Sequence, residues 1–564
     1  MNRLIEALRL KSGAQGSSTP LEFQAATVNV FVGPNHSGKS LLLREMQTAI
    51  QHPDRAPSWK VLDKFEFGIL DPSAKNGLAR RLREDAKPDP SNPNHVQMSR
   101  GGKGWTIPVH LFEAAALDLP EFRDLPADEW LRDYLMSDIF LMLGGMERLS
   151  ILQAAARGNL LVPSLHVLGK LFQNDMKRSV VQKIVRNAFG STLVIDAFGE
   201  SSLEVKLSES QPASGIERSL SEEAGNFFRA AVDINEMSDG IKAFSGMVAA
   251  VVAHDARLIL IDEPEAFLHP QLCATLAREL CGQARKSNQQ LFIATHSAAF
   301  LMGCVQAGLD LNIVRVTYRK HVATSRVLAQ QQLVPLMRQP LLRSVGALAG
   351  IFQEAVVVTE SASDRAFYDE INHRCVVAEH RGGIPECLFL NAQNWQTTAR
   401  IIAPLRRLGI PAAAIVDLDI LRDSAGSSFQ TLMEAAHMPP GTRTSLGQLR
   451  GALHKQITAS GANVKKLGLD AFTGDGRRDA NNFVDNLATY GIFVVPVGEL
   501  ERWLPNLKRH DYNEKNGWLL RTFEAMGEDP DEHHYVRPGT GDVWDFLIKL
   551  EHWLHNPARL GIPT

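Results

Sequence analysis

The feature that most constrains this chain is the octapeptide GPNHSGKS at 33–40, which directly follows the apolar, β-branched run Ala26 to Val32. It fits the pattern G-x-x-x-x-G-K-[ST]. Gly33 and Gly38 let the backbone curl until its N–H groups point at phosphate oxygens, and the helical pattern Lys39 to Ile50 places those groups at a helix N-terminus. Strand, turn and helix in this order form a phosphate cradle. Pro34, Asn35, His36 and Ser37 complete its turn, Lys39 reaches the β- and γ-phosphates, and Ser40 ligates Mg²⁺.

LILIDEPEAFLHP at 258–270 supplies a partner. Its apolar residues read as a buried strand, with Asp262 at the end to hold the Mg²⁺ shell and Glu263 to polarise an attacking water. ATHS at 294–297 puts His296 at the end of the next strand, within reach of the γ-phosphate or that water. MSDGIKAFSGM at 237–247 starts a helix at Ser238 and Gly240, a second anion-binding geometry. Strands at Arg257 to Ile261 and Gln290 to Ala294, separated by a helix-like stretch Gln271 to Gln283, predict an α/β domain with a largely parallel sheet.

Some 200 residues separate the first helix from the second strand, about fifteen times what one loop carries. Much of Leu111 to Phe172 has a helical pattern, so residues of about 51–235 read as largely an insertion with helical dimerisation elements. A second α/β series starts at Ala355 and places a domain boundary near 330–354, giving domains of 1–340 and 341–564. Asp85 to Pro93 and Ala459 to Gly476 are the nearest to linkers. No apolar stretch approaches the roughly 18–20 residues of a membrane span, and MNRLIEALRLKSG lacks the apolar core and cleavage site of a signal peptide. Five cysteines make no CxxC pair. These features predict a cytoplasmic chain without disulfides.

The combination GPNHSGKS, MSDG, DEPEAFLHP and ATHS resembles the ABC-type ATPase heads of the SMC, RecF and OLD (overcoming lysogenization defect) groups. The resemblance implies that Ser238 and Gly240 of one subunit cap the nucleotide of the other, so that ATP is hydrolysed in a homodimer. The commonest OLD-type loop is GPNGSGKS, and Asn35–His36 stands here for its asparagine-glycine. A glutamine loop is not placed.

The second α/β series carries its own acids. AVVVTESASDRAFYDEI at 355–371 gives a strand ending at Glu360, with Ser363 as the expected N-cap of a helix carrying Asp364. AAAIVDLDI ends a strand in Asp417 and Asp419, which strand alternation would turn to one face. Such hard oxygens suit one or two Mg²⁺ ions, and two ions about 4 Å apart stabilise the attacking and leaving oxygens of a phosphodiester. This arrangement is similar to the TOPRIM fold of topoisomerases, primases and OLD-family nucleases. The likeness extends to the lead-in LLRSVGALAGIFQEAVVVTES and to GELERWLP at 498–505. It implies that Glu360 is general base or ligand, that Asp417 and Asp419 are metal ligands, that Glu499 and Glu501 are further ligand candidates and that Lys508 stabilises charge at phosphorus. The usual glycine after the TOPRIM glutamate is Ser361. No tyrosine has the surroundings of a topoisomerase nucleophile, and Glu532-His533-His534 and Glu551-His552 with His555 lack a fourth metal ligand.

Lys+Arg 60 against Asp+Glu 63 leaves a net charge of -3, which argues against a chain basic throughout. Local segments differ from that mean. Leu311 to Gln353 has no acid but contains Arg315, Arg319, Lys320, Arg326, Arg338 and Arg343, and Arg443 to Arg478 is also rich in Lys and Arg. Such patches suit a phosphate backbone. The resulting expectation is an OLD-like, ATP-regulated DNA endonuclease using Mg²⁺ or Mn²⁺ on double-stranded DNA, in anti-phage defence. A nucleotide-switched scaffold that holds or releases a partner effector protein, with a non-cutting TOPRIM-like domain, is the first alternative. A DNA-repair ATPase is the second.

Overall fold

The computed structural model describes residues 3–14, 19–51, 59–68, 72–100, 103–117, 139–145, 147–160, 164, 166–199, 201–319, 321–328, 330–421, 427–507 and 517–563. Lys320 and Lys508 lie outside them. The chain divides between Gln330 and Gln331 into two compact units, with the three residues Gly33–Asn35 grouped with the second.

In the first unit the core sheet is built from β1 (Val28–Val32), β2 (Phe140–Leu143), β3 (Leu258–Asp262), β4 (Gln290–Ala294), β5 (Leu311–Arg319) and β6 (Val322–Leu328). Their order is β6-β5-β1-β4-β3-β2; β6 pairs antiparallel and every other pairing is parallel. All five residues of β1 and of β4 are buried, as a sheet covered on both faces requires. Helix α1 (Lys39–Gln51) buries Leu42, Leu43, Met46, Ala49 and Ile50, one face at helical spacing. Leu42, Leu43 and Met46 share a core with Phe31, Leu258, Leu260 and Phe292. Each such side chain contributes about 1.5–3 kcal/mol on burial. Helices α2 (Asp239–Ala253), α3 (Pro270–Ser287) and α4 (Ala298–Gln306) complete the frame.

The stretch between α1 and β3 carries helices, among them Pro72–Asp85, Asp175–Phe189 and Glu222–Ala230, and also sheets that the helical expectation does not include. Ser202–Ser208 pairs with Thr192–Asp196, Val232–Asp233 and Ala155–Ala156, and Lys87–Pro88, His95–Arg100 and Lys103–Pro108 form a further sheet. Of the described residues in 111–172, only 111–117, 139, 147–150 and 167–172 are α-helical. Alternation such as SLEVKLS, buried at every second position, outweighs the helical propensity of its neighbours. Neither expected linker separates the units: Lys87–Pro88 is sheet within the first, and 459–476 runs through short helices within the second.

The second unit has four parallel strands, β7 (Ala355–Thr359), β8 (Cys387–Asn391), β9 (Ala412–Val416) and β10 (Ile492–Val494), in the order β8-β7-β9-β10. Helices α5 (Ala362–Val377) and α6 (Trp395–Arg407) connect them, and α7 (Asp542–His555) packs in the aromatic core of Phe367, Tyr368, Phe493, Trp503, Phe546 and Trp553. Within it the Trp503 Nε1–H donates to the Tyr368 hydroxyl at 2.8 Å. Because β7 and β9 are adjacent and parallel, the residues just beyond their C-terminal ends meet at one edge. Among the described residues no helix is long and apolar enough to cross a membrane.

Candidate functional site

The loop after β1 has the backbone its residues dictate. Gly33 and Gly38 take φ of 143° and 95°, and His36 takes 56°. His36 thus sits in the left-handed region, which costs a side-chain-bearing residue roughly 1–2 kcal/mol and explains why glycine suits this place. Lys39, 3% exposed, donates from Nζ to Ser37 Oγ at 3.1 Å. Ser40 Oγ donates to Asp262 Oδ1 at 2.8 Å. A hydroxyl and a carboxylate so paired fit a magnesium ion, and Ser40 and Asp262 are the residues that would hold it. Burial raises the Asp262 pKa against the Ser40 hydrogen bond.

Glu263 follows β3 with φ of 50° and its amide donates to Ala294 O at 2.9 Å, tying the ends of β3 and β4 together. Its Oε1 lies 3.8 Å from His296 Nε2. Burial, and then the Lys39 charge, lower the His296 pKa to about 4. His296 is therefore a neutral imidazole near pH 7, a hydrogen-bonding group and not a cation. Two residues outside the sequence reading complete this centre. Glu265 accepts from Thr295 Oγ1 at 2.8 Å and from the His296 amide at 2.5 Å, which fixes the ATHS turn. Arg148 donates to the Asp262 and Glu263 carbonyls. The signal for Arg148 was FLML followed by two glycines, a strand and turn, in a stretch whose overall composition reads as helix.

Ser238 caps α2 with φ of -64° and no side-chain cap hydrogen bond. Gly240 has a local reason to be glycine: a Cβ there would stand 2.8 Å from Phe267 O, so the helix start lies directly on the loop that follows β3.

In the second unit, Glu360 Oε1 accepts the Asp417 amide at 2.7 Å. Burial first, then neighbouring carboxylates, push the Glu360 pKa up to about 7 and that of Asp417 up to about 9. Asp419 does not continue the strand. β9 ends at Val416 and Leu418–Leu421 is a 3₁₀ turn, so the alternation expected to align Asp417 with Asp419 does not operate. Instead Asp419 Oδ2 lies 2.7 Å from Lys465 Nζ, which also lies 3.3 Å from Glu499 Oε1. Asp364 is raised by burial and also by the Glu501 charge, which places Glu501 at the same cluster. The donor chemistry is that of a hard-cation site, although among the described residues no three His, Cys, Asp or Glu side chains form a ready-made cage.

Ser361, and not Ser363, is the N-cap of α5. Its Oγ accepts the Asp364 amide at 3.2 Å and its amide donates to Asp364 Oδ2 at 2.8 Å. With φ of -126° the position makes no demand for glycine.

The basic segments are less bare than their sequence suggests. Arg315 is 6% exposed and stands opposite Arg326 in the β5–β6 ladder. Arg443 pairs with Glu434, Arg477 with Asp470 and Arg478 with Asp475, while the Nε of Arg450 donates to Ile420 O. Intradomain pairing accounts for most of the charge between 443 and 478.

Residues 158–302 match the family model described as "AAA domain, putative AbiEii toxin, Type IV TA system". Among curated proteins none matches the chain in sequence. Solved structures similar to it include SMC heads. One, a head bound to the C-winged helix domain of ScpA, is 12% identical, covers 59% of this chain and 99% of its own, and has a TM-score of 0.36. A head with an extended coiled coil bound to the C-terminal domain of ScpA, derived from Pyrococcus furiosus, is 11% identical over 60% of this chain and 99% of its own, with a TM-score of 0.35. The SMC head domain from Thermotoga maritima is 14% identical over 58% and 99%, with a TM-score of 0.29. Similarity at this level does not extend to partners or activities. The family match and the loop geometry together identify the first unit as a P-loop ATPase domain.

Proposed function

We propose that this P-loop ATPase controls a metal-dependent DNA endonuclease housed in the second unit, with anti-phage defence as its role. The reading rests on one observation above the rest: Glu360 and Asp417, each just past the end of adjacent parallel strands, are joined by a 2.7 Å hydrogen bond inside a buried cluster of acids. Carboxylates whose pKa values are raised by burial first, and then by one another, are groups that a bound cation would stabilise in their charged form. Glu360, Asp417 and Asp419 would hold Mg²⁺ or Mn²⁺, with Glu499 and Glu501 at the margin. That metal supplies charge neutralisation at phosphorus and a lowered pKa for a bound water. The chain's own contribution is to fix Glu360 against the Asp417 amide and to present Lys465 as a cation beside Asp419 and Glu499.

In the ATPase unit Lys39 and the loop amides bind the phosphates, Glu263 orients and deprotonates water, and neutral His296 positions it. Ser238 and Gly240, at the start of α2, would cap the nucleotide of a second copy. The decisive assay incubates supercoiled and linear DNA with Mg²⁺ or Mn²⁺, with and without ATP. Glu360→Gln and Asp417→Asn should cut at least about a hundredfold more slowly than wild type. Wild type that never cuts, or variants that cut as well, would remove the nuclease. In parallel, Lys39→Ala should lose nucleotide binding and Glu263→Gln should retain ATP and turn it over only at a slow, still measurable residual rate.

A second reading has its own observation. Lys465 already neutralises Asp419 and Glu499, so the unit holds together as a lysine-bridged fold. A nucleotide-switched scaffold that binds DNA or an effector without cutting follows from this, and the same assay separates the two.

A further inference from the structure

One guanidinium in the first unit is announced by no motif. Arg148 is 1% exposed, in the single-turn helix Glu147–Ser150 that follows edge strand β2. Its Nε donates to Gly144 O at 3.3 Å, its Nη2 to Asp262 O at 2.6 Å and its Nη1 to Glu263 O. The last two acceptors matter most. They belong to the two peptide planes on either side of the Glu263 Cα, and the φ and ψ of Glu263 are the only soft rotations between those planes. A rigid planar fork that grips both carbonyls therefore sets both dihedrals.

Glu263 needs such a grip. Its φ of 50° is left-handed, and the next residue is Pro264, whose ring disfavours helical backbone at the preceding position. Left to itself this residue would relax toward extended backbone and carry its carboxylate away from His296. The same segment also touches α2: a Cβ on Gly246 would meet Arg148 O at 2.6 Å. The helix that begins at Ser238 thus rests on the backbone of the residue that holds Glu263.

We infer that Arg148 is a positioning residue of the ATPase, holding Glu263 in its left-handed conformation through the paired Asp262 and Glu263 carbonyls. The inference rests on the ATPase reading of Glu263. Its charge faces Glu265, Glu263 and Asp262, so loss of the fork changes both the geometry and the field at the water.

The test uses the full chain and compares wild type, Arg148→Lys, Arg148→Met, Glu263→Gln and the Arg148→Lys/Glu263→Gln double variant. Steady-state ATP hydrolysis gives kcat and KM, and titration with a fluorescent ATP analogue gives nucleotide affinity. Lysine keeps the charge but cannot grip two carbonyls. Arg148→Lys should bind the analogue within about threefold of wild type and lose kcat by about a hundredfold, the scale of a small misplacement of a catalytic group. In the Glu263→Gln background the same change should add nothing, because Arg148 acts through Glu263. Folded Arg148→Lys with wild-type kcat, a loss confined to KM, or losses that multiply in the double variant would each overturn the assignment. So would an Arg148→Lys chain that does not fold, since the residue would then serve the fold and not the turn. Arg148→Met, lacking the charge as well, should be at least as slow as Arg148→Lys. Failure of the ATPase reading shows elsewhere, as equal hydrolysis by wild type and Lys39→Ala.

Discussion

Ser361 and Asp364 cap each other: the serine hydroxyl accepts the Asp364 amide and the Asp364 carboxylate accepts the Ser361 amide. The pair starts α5 one residue after Glu360, so the cap fixes where the strand ends and the acid begins. Serine at this position is thereby a gain in local order, and its φ of -126° asks for no glycine. Ser361→Ala should cost about 1 kcal/mol of stability, whereas Ser361→Gly should cost only a few tenths. Urea denaturation of the two variants measures the difference, and equal losses would deny the cap its role.

Arg406 is buried in the second unit and its four hydrogen bonds all end on backbone carbonyls. Nε donates to Ala412 O at 2.8 Å, Nη1 to Tyr490 O at 2.8 Å and Gly561 O at 3.2 Å, and Nη2 to Gly491 O at 3.1 Å, with the Trp553 ring 5.0 Å away. Burial holds its pKa down at about 9, still charged at neutral pH. Removing it takes a donor from four carbonyls at once, of which Gly491 O keeps the Ala414 amide. Arg406→Met should destabilise the chain by about 3 kcal/mol or more, read as a lowered denaturation midpoint, with Arg406→Lys intermediate.

His254 follows α2, where burial and the Lys170 charge lower its pKa to about 4 while its Nδ1 lies 2.9 Å from Ala250 O. Lys177 also opposes protonation; Asp255, which pairs with Lys177 at 2.8 Å, favours it. The sign follows directly. An unfolded histidine protonates near 6.5 and the folded one does not, so stability is present above that pH and falls as pH drops toward 4, where the loss levels off. The whole effect is on the order of 3 kcal/mol. Denaturation of wild type and His254→Gln between pH 7.5 and 4 should show a steeper decline for wild type; parallel curves would contradict the shift.

The parts of this architecture legible in sequence are those written locally. A glycine turn between an apolar run and a helical pattern, or an acid closing a buried strand, needs no distant partner to be recognised, and GPNHSGKS, Asp262–Glu263 and Glu360 are signals of this kind. Arg148 carries no such signal, since the Asp262 and Glu263 carbonyls it grips lie 114 and 115 residues further along the chain. In sequence Lys465 is one more basic residue of the segment Arg443 to Arg478, because nothing near it reveals Asp419 and Glu499 as its partners. The orientation of Asp419 is hidden for a different reason. Strand alternation reaches Asp419 only if it continues three residues past the last ladder pairing at Val416, where the chain instead coils into a 3₁₀ turn with the Ile420 amide donating to Asp417 O.

Gly240 offers the last test, because two explanations of its glycine lead to different outcomes. One is the approach of a second copy's nucleotide, implied by likeness to ABC-type heads. The other is internal: the Phe267 carbonyl leaves no room for a Cβ, and Phe267 itself has φ of 69° in the loop that carries Glu263 and Glu265. Gly240→Ala must move that loop or the start of α2, at about 1–3 kcal/mol for an overpacked contact. The internal explanation predicts a lowered melting temperature without nucleotide and at protein concentrations where the chain is monomeric. The intermolecular one predicts an unchanged apo melting temperature with loss of ATP-dependent dimers in sedimentation. Measuring both on one variant tells them apart, and a drop in each would show that the same contact serves the fold and the dimer.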